Sequence, residues 1–426
     1  MLKLTAQEQA MLSGDQGPAI ALAMRLITRL ARIKSANALI DIDSVHVDGC
    51  LFYGQAGLDY AQKLVNLGAK VVVPTTVNVG KVDLLHPQLV RQDTPKEKFM
   101  AQGGRDLMQA YVDLGAKQTW TCAPYQIDTR PEFGTDIVWA ESNAIAFANS
   151  VLGARTDRYG DFMDIASAIT GKTALVGLHL PENRLGHLII DCQKLSPRVL
   201  ALDITYPILG YLAGKYAGTK NPIFLGLPGD VSEDNLKALG AASASSGGVG
   251  LFHVVGRTPE APTLSAVVPT GQTLPTYEID QELLTKTRDE LSNARQGTKL
   301  DAVSLGTPHA SLNEIIQLRD CFASGHSIAD SVAFYINTGR SVFNQARELG
   351  LVDQLETLGV KFVVDTCAYV TSIFRPGTQT AMTNSGKVAH YAPGNMNVQI
   401  VLGTLEECVQ SAQSGYLTWD ENLFHG

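Results

Sequence analysis

Ala302-Val303-Ser304-Leu305-Gly306-Thr307-Pro308-His309 reads as a short apolar strand running into a turn that ends on a histidine. Two other stretches share the design. Val360-Lys361-Phe362-Val363-Val364 leads into Asp365-Thr366-Cys367-Ala368-Tyr369, and the β-like run Gln118-Thr119-Trp120 leads into Thr121-Cys122-Ala123-Pro124-Tyr125. In open α/β sheets ligands gather outside the carboxyl ends of strands. Three such loops are therefore expected to converge on one cleft. Two thiolates plus a third, weaker position at Thr307 suit an iron with an open coordination site.

Outward from these loops the last third of the chain has an α/β rhythm: strand 301–305, helix 311–322, strand 332–337, helix 340–357, strand 360–364, strand 397–402 and helix 404–413. The middle third repeats the alternation, with strand 173–179, an apolar run at 199–205, strand 223–227, helix 232–240 and strand 249–255. Residues 256–278, with several prolines, read as a long surface connection. In the first third the spacing predicts a helix over 18–33, a strand over 38–42, a helix over 56–67 and a strand over 70–73. A helix near 96–114 and a helical pattern from 137 to 152 follow. The βαβ order predicts buried, mostly parallel sheets. The expected fold is three α/β units around a central cleft, at 1–165, 166–285 and 286–426, with Cys122 in the first and Thr307 and Cys367 in the third.

The 426 residues suggest about two to three domains, and a hydrophobic share of 45% is ample for globular cores. The net charge of −8 argues against a dedicated nucleic-acid binder, which needs a basic footprint. No apolar run of about 18 residues occurs, so no membrane helix is expected. The opening residues lack the layout of a secretory signal. Six widely scattered cysteines read as free or metal-bound thiols of a cytoplasmic protein, not as a disulfide scaffold. Gly171-Lys172-Thr173 has the tail of a phosphate loop, but Ala166 stands where the leading glycine belongs. Ser245-Ser246-Gly247-Gly248-Val249-Gly250 lacks the dinucleotide-binding order and reads as tight packing between elements.

Longer stretches carry a more specific signal. His46-Val47-Asp48-Gly49-Cys50, Val73-Pro74-Thr75-Thr76-Val77-Asn78-Val79 and Glu141-Ser142-Asn143-Ala144 stand in that order. They are followed by Asn149 through Thr156, Phe252-His253-Val254-Val255-Gly256, Gly306-Thr307-Pro308-His309, Asp365-Thr366-Cys367 and Thr383-Asn384-Ser385-Gly386-Lys387. On these the chain resembles the aconitase X family along nearly its whole length. The resemblance implies an iron-dependent hydro-lyase of the aconitase superfamily. Two activities are known in the family: dehydration of cis-3-hydroxy-L-proline to an enamine that becomes Δ1-pyrroline-2-carboxylate, and dehydration of mevalonate 5-phosphate. It also implies a small swivelling domain, which this sequence lacks, so a separate small subunit is the expected partner. Family members that hold a cubane cluster have a third cysteine where this chain has Thr307. Threonine is a poor iron ligand, so a two-iron cluster or mononuclear iron is expected over a four-iron cluster. The same change favours the hydroxyproline branch. A third reading, an iron-sensing RNA-binding protein, is disfavoured by the acidic charge.

Each remaining candidate has a plainer reading beside the functional one. Glu141-Ser142-Asn143 opens a helix, where an acid is a good cap, and the same amides can hold a substrate carboxylate. Arg155 can grip a carboxylate bidentately or bridge elements. Ser385 resembles the superfamily's serine proton acceptor, and Lys387 can neutralise a carboxylate or act as a base, while the surrounding residues read first as a turn. His46 and Asp48 end the first strand. Thr75, Thr76 and Asn78 follow another and offer uncharged contacts. His309 is expected to orient the metal site, and Tyr391 to line the substrate loop. Cys192, Cys321 and Cys408 read as small buried hydrophobes.

Overall fold

The computed structural model describes residues 2–322 and 325–425. The chain forms two compact units, residues 1–82 with 91–185, and residues 83–90 with 186–426. Both are mixed α/β, as the rhythm of the sequence predicts.

The first unit starts with the helix Ala6–Ser13, closed at its start by a reciprocal Thr5–Glu8 capping box. The helix Pro18–Ile33 follows and buries one face, including Ala23, Met24, Ile27 and Ala31. Strand β1 (Leu39–Asp41) pairs antiparallel with β5 (Lys172–Ala174). Strands β2 (Val45–Val47), β3 (Thr75–Val77) and β4 (Val138–Trp139) form a small parallel sheet in the order β3-β2-β4. Every residue of the three is buried.

The second unit carries two parallel sheets. One is β8 (His253–Val254), β7 (Pro222–Leu225), β6 (Leu188–Asp191) and β9 (Thr276–Glu278), in that order across the sheet. The other orders β12 (Val360–Val364), β11 (Ala333–Thr338), β10 (Ala302–Ala310), β13 (Thr380–Thr383) and β14 (Gln399–Leu402). Alternate residues of this sheet feed two separate cores. Val303, Leu305, Phe334, Ile336, Phe362 and Val364 face one, while Ala302, Tyr335, Val363 and Ala381 face the other. A parallel sheet covered on both faces requires this double burial.

Several sequence expectations need correction. Residues 70–73 are not a ladder strand: Pro74 has no N–H to give, pairing starts at Thr75, and Val72 stays 61% exposed. Gln118–Trp120 is not a strand either, because the chain turns at Trp120 with φ 41° after a single bridge at Lys117. The helical pattern at 137–152 begins as β4, and only Ser142–Phe147 and the wider-wound Ala148–Leu152 are helical. The apolar run at 199–205 is helix end and helix start, Pro197–Leu200 and Thr205–Ala217. Ser196 caps the first, with Pro197 at its opening position, a start signal the apolar composition hid. The helix at 340–357 breaks at Gly350, which takes a left-handed φ of 71°. The connection at 256–278 holds the short helix Leu264–Val267 and edge strand β9. Close packing is the finding at Gly247: a side chain there would come within 2.4 Å of the Gly214 carbonyl oxygen.

Candidate functional site

In the first unit the carboxyl ends of the parallel strands present Asp48 after β2, Asn78 after β3 and Glu141 after β4. Asn78 donates from Nδ2 to Asp48 Oδ1, and its backbone N–H donates to the Val47 carbonyl at 2.8 Å. Asn78 Oδ1 is buried and has no hydrogen-bond partner among the described residues. His46 is fully buried and shares a 2.8 Å hydrogen bond with Thr76 Oγ1. Burial lowers its pKa to about 3, so the ring is neutral. Thr75 turns its hydroxyl to the Val73 carbonyl of its own chain at 2.9 Å.

Glu141 caps the helix Ser142–Phe147. Its Oε2 accepts from Ala144 N at 2.9 Å and from Asn143 Nδ2, and its Oε1 accepts from the Ser142 hydroxyl at 3.2 Å. Asn143 also donates to the Cys122 carbonyl at 2.9 Å and accepts from the Tyr125 hydroxyl at 2.6 Å. The helix start thus holds the loop that carries buried Cys122. Arg155 is half-buried, with its backbone N–H donating to Thr135 O at 2.8 Å and its Nε buried with no hydrogen-bond partner among the described residues.

Sequence reasoning missed Asp164. Its carboxylate is fully buried and accepts from the backbone N–H of Asp48 at 2.8 Å and of Gly49 at 3.1 Å. It therefore fixes the turn that aims Asp48. Burial raises the pKa of Asp164 to about 6. Burial first, and then the neighbouring Glu141 charge, raise that of Asp48 to about 7.

In the second unit, β10 is irregular between Leu305 and Ala310. Gly306 stands there with φ 73°, and a Cβ would lie 2.1 Å from Asn337 O. The irregularity carries Thr307, a cis bond to Pro308, and His309. His309 Nε2 lies 3.1 Å from Thr366 O. A carbonyl can only accept, so Nε2 holds the ring proton and Nδ1 keeps its lone pair. Burial lowers the His309 pKa to about 4 and keeps the ring neutral. The ligand atoms of His309 and Cys367 lie within 4.8 Å of each other.

Cys367 follows β12 in a loop held from several sides. Asp365, at φ 65°, pairs with Arg340 through two hydrogen bonds of 2.5 and 2.8 Å. Asp83 accepts from Val364 N at 2.7 Å. Asn337 on β11 accepts from Ala368 N at 2.8 Å and donates to Leu305 O at 2.5 Å, so one amide ties the Cys367 loop to the irregular strand. Asn337 and Asp83 were not legible as site residues. Neither was buried Lys237, which pairs with Glu314 and with Asp234 at 3.0 Å and donates to His309 O at 3.4 Å.

Ser385 caps the helix Gly386–Met396: its oxygen accepts from Val388 N at 3.2 Å and its hydroxyl donates to Thr307 O. Lys387 is buried one residue into that helix. Tyr391 lies further along and donates to Ser245 O at 3.4 Å. A cavity is lined by Asp203, Lys237, Gly306, Thr307, Asn384 and Ser385. The structure therefore groups Asp48 with Asn78, His46 with Thr76, Glu141, Ser142 and Asn143 with Cys122, His309 with Cys367, and Thr307 with Ser385. It turns the Thr75 hydroxyl to its own strand and Tyr391 to the neighbouring helix.

The buried pair His309 and Cys367 of the second unit points to metal binding. The pair fits iron: a thiol, and a neutral imidazole whose tautomer is fixed by the Nε2 bond to Thr366. Thr307 Oγ1 is also buried with no hydrogen-bond partner among the described residues. Among those residues no helix is long and apolar enough to cross a membrane.

Models of the first, second and third domains of aconitase X match residues 1–182, 186–289 and 300–414. The cis-3-hydroxy-L-proline dehydratase of Pseudomonas aeruginosa is 41% identical over 416 residues, covering 97% of this chain and 70% of that protein. The phosphomevalonate dehydratase large subunit of Methanothermobacter thermautotrophicus is 35% identical over 401 residues, covering 93% of this chain and 96% of that one. The solved holo-form of Thermococcus kodakaraensis aconitase X superposes with a TM-score of 0.85 at 32% identity, over 96% of this chain and 100% of that one.

Proposed function

Because the chain belongs to the aconitase X family of dehydratases, we propose that it is the catalytic chain of an iron-dependent hydro-lyase acting on cis-3-hydroxy-L-proline. One observation carries the choice of substrate: 41% identity along 97% of the chain to a dehydratase of that compound, against 35% to the phosphomevalonate enzyme. The reaction takes the proton from C2 and the hydroxyl from C3, giving an enamine that becomes Δ1-pyrroline-2-carboxylate.

Cys122, His309 and Cys367 would hold the iron, which when bound supplies a Lewis acid for the departing hydroxyl. Threonine at 307 in place of a third thiol favours a two-iron cluster or mononuclear iron over a four-iron cluster. The chain's own residues have the remaining tasks. Lys387 offers a cation for the substrate carboxylate, and Ser385 an oxygen for proton transfer at C2. Glu141 sets the helix start and, with Asn143, the Cys122 loop. The 35% identity to a protein named as a large subunit supports a second, smaller chain as partner. That similarity also gives mevalonate 5-phosphate as the second reading.

The test is anaerobic purification with a co-expressed swivelling-domain chain, followed by iron and sulfide counts and turnover of both acids. Hydroxyproline turnover is the expected result, and turnover of mevalonate 5-phosphate alone would replace this reading with the second. Cys122→Ser and Cys367→Ser are each expected to lose iron and activity together. Full activity in either variant would remove the metal assignment.

A further inference from the structure

We propose that Asp48 and Asn78 form the subsite for the positively charged ring nitrogen of an imino-acid substrate; the inference rests on the hydroxyproline reading above. Asp48 presents a carboxylate at the end of β2, with Asn78 Nδ2 donating to one of its oxygens. That contact fixes the amide's orientation, because a carbonyl turned toward the carboxylate would set acceptor against acceptor. Asn78 Oδ1 is consequently an acceptor beside the carboxylate. It belongs to a residue 3% exposed and has no hydrogen-bond partner among the described residues. A buried acceptor left unbonded is costly unless a ligand or water donates to it.

The neighbours sharpen the preference. Glu141, Asp161 and Asp164 add negative potential at Asp48. Glu141 and Asp164 are themselves engaged with backbone N–H groups, so they supply field and not a free contact. Two acceptors in a negative field match a secondary ammonium, which has two N–H donors and one positive charge. One hydrogen goes to Asp48 and the other to Asn78 Oδ1. A phosphate or a second carboxylate would meet acceptors and like charge there. The subsite would therefore separate a cyclic imino acid from an anionic hydroxy acid before any chemistry.

The test uses the active preparation and two competitive inhibitors, L-proline and tetrahydrofuran-2-carboxylate. They share ring and carboxylate but differ in a ring ammonium against an ether oxygen. L-Proline is expected to inhibit cis-3-hydroxy-L-proline turnover at concentrations about 10–100-fold lower. Equal inhibition, or none by L-proline, would overturn the subsite without touching the substrate reading. Asp48→Asn is expected to raise KM by a similar factor at unchanged iron content, and an unchanged KM would also overturn it. If the unmodified enzyme does not turn over the hydroxyproline at all, the substrate reading itself falls and takes the subsite with it.

Discussion

The surroundings of Asp48 push it toward its neutral form, and this has a consequence for pH. Burial, Glu141, Asp161 and Asp164 all push its pKa up, while the Asn78 hydrogen bond pulls it down, leaving it at about 7. The charged form dominates above that value and the neutral acid below it. If the carboxylate receives the substrate nitrogen, kcat/KM rises with pH up to about 7 and then levels, because this quantity reports groups of the free enzyme. Neither His46 nor His309 adds a limb near the usual histidine value, since burial holds them at about 3 and about 4. A pH profile of kcat/KM checks this, and in Asp48→Asn the rise near neutrality should vanish. A rise that persists in the variant would assign it to another group.

The irregularity in β10 is the element on which the second unit's proposed metal donors depend. Gly306 supplies the left-handed backbone that lets the strand bulge, and its missing Cβ leaves room for Asn337 O. Gly306→Ala forces a side chain into that contact and costs about 1–3 kcal/mol for the backbone conformation alone, before any steric clash. A lowered melting temperature with reduced iron content is the expected outcome, and retention of both would show that the bulge is not needed. The same region shows how far the sequence could be read. The strands at 302 and 360 are long β-rich runs flanked by turn residues, so their existence was legible, and so were the cysteines and threonine in the loops beyond. The short strands at 75–77 and 138–139 carry too few residues for alternation to be visible. Asn337, Lys237 and Asp164 were opaque for another reason: their partners lie 31, 72 and 115 residues away. No local pattern marks a residue whose role is set by a distant backbone group. His309 was legible as a candidate but not as a donor, because only its bond to Thr366 O fixes which ring nitrogen keeps the lone pair.

Across the whole molecule the net charge of −8 bears on the RNA-binding alternative. An acidic chain gains little from releasing the counterions of a nucleic acid. The iron-free protein is expected not to retard an RNA hairpin in a gel at physiological salt, and retardation would revive that reading. The more demanding question is what completes the active enzyme. The chain covers 96% of a phosphomevalonate dehydratase large subunit but 70% of the hydroxyproline dehydratase from Pseudomonas aeruginosa. On the proposal above, this chain would hold the iron and the substrate nitrogen, and a smaller chain would close over them and exclude water. Iron binding would then depend on this chain alone, and turnover on both. The chain purified alone is expected to bind iron yet turn over less than one hundredth as fast as the co-expressed pair, taking about a hundredfold as the share that a positioned catalytic group supplies. Anaerobic iron counts and single-turnover assays on the two preparations read the two dependencies separately. Equal turnover by the lone chain would show that it needs no partner for the chemistry.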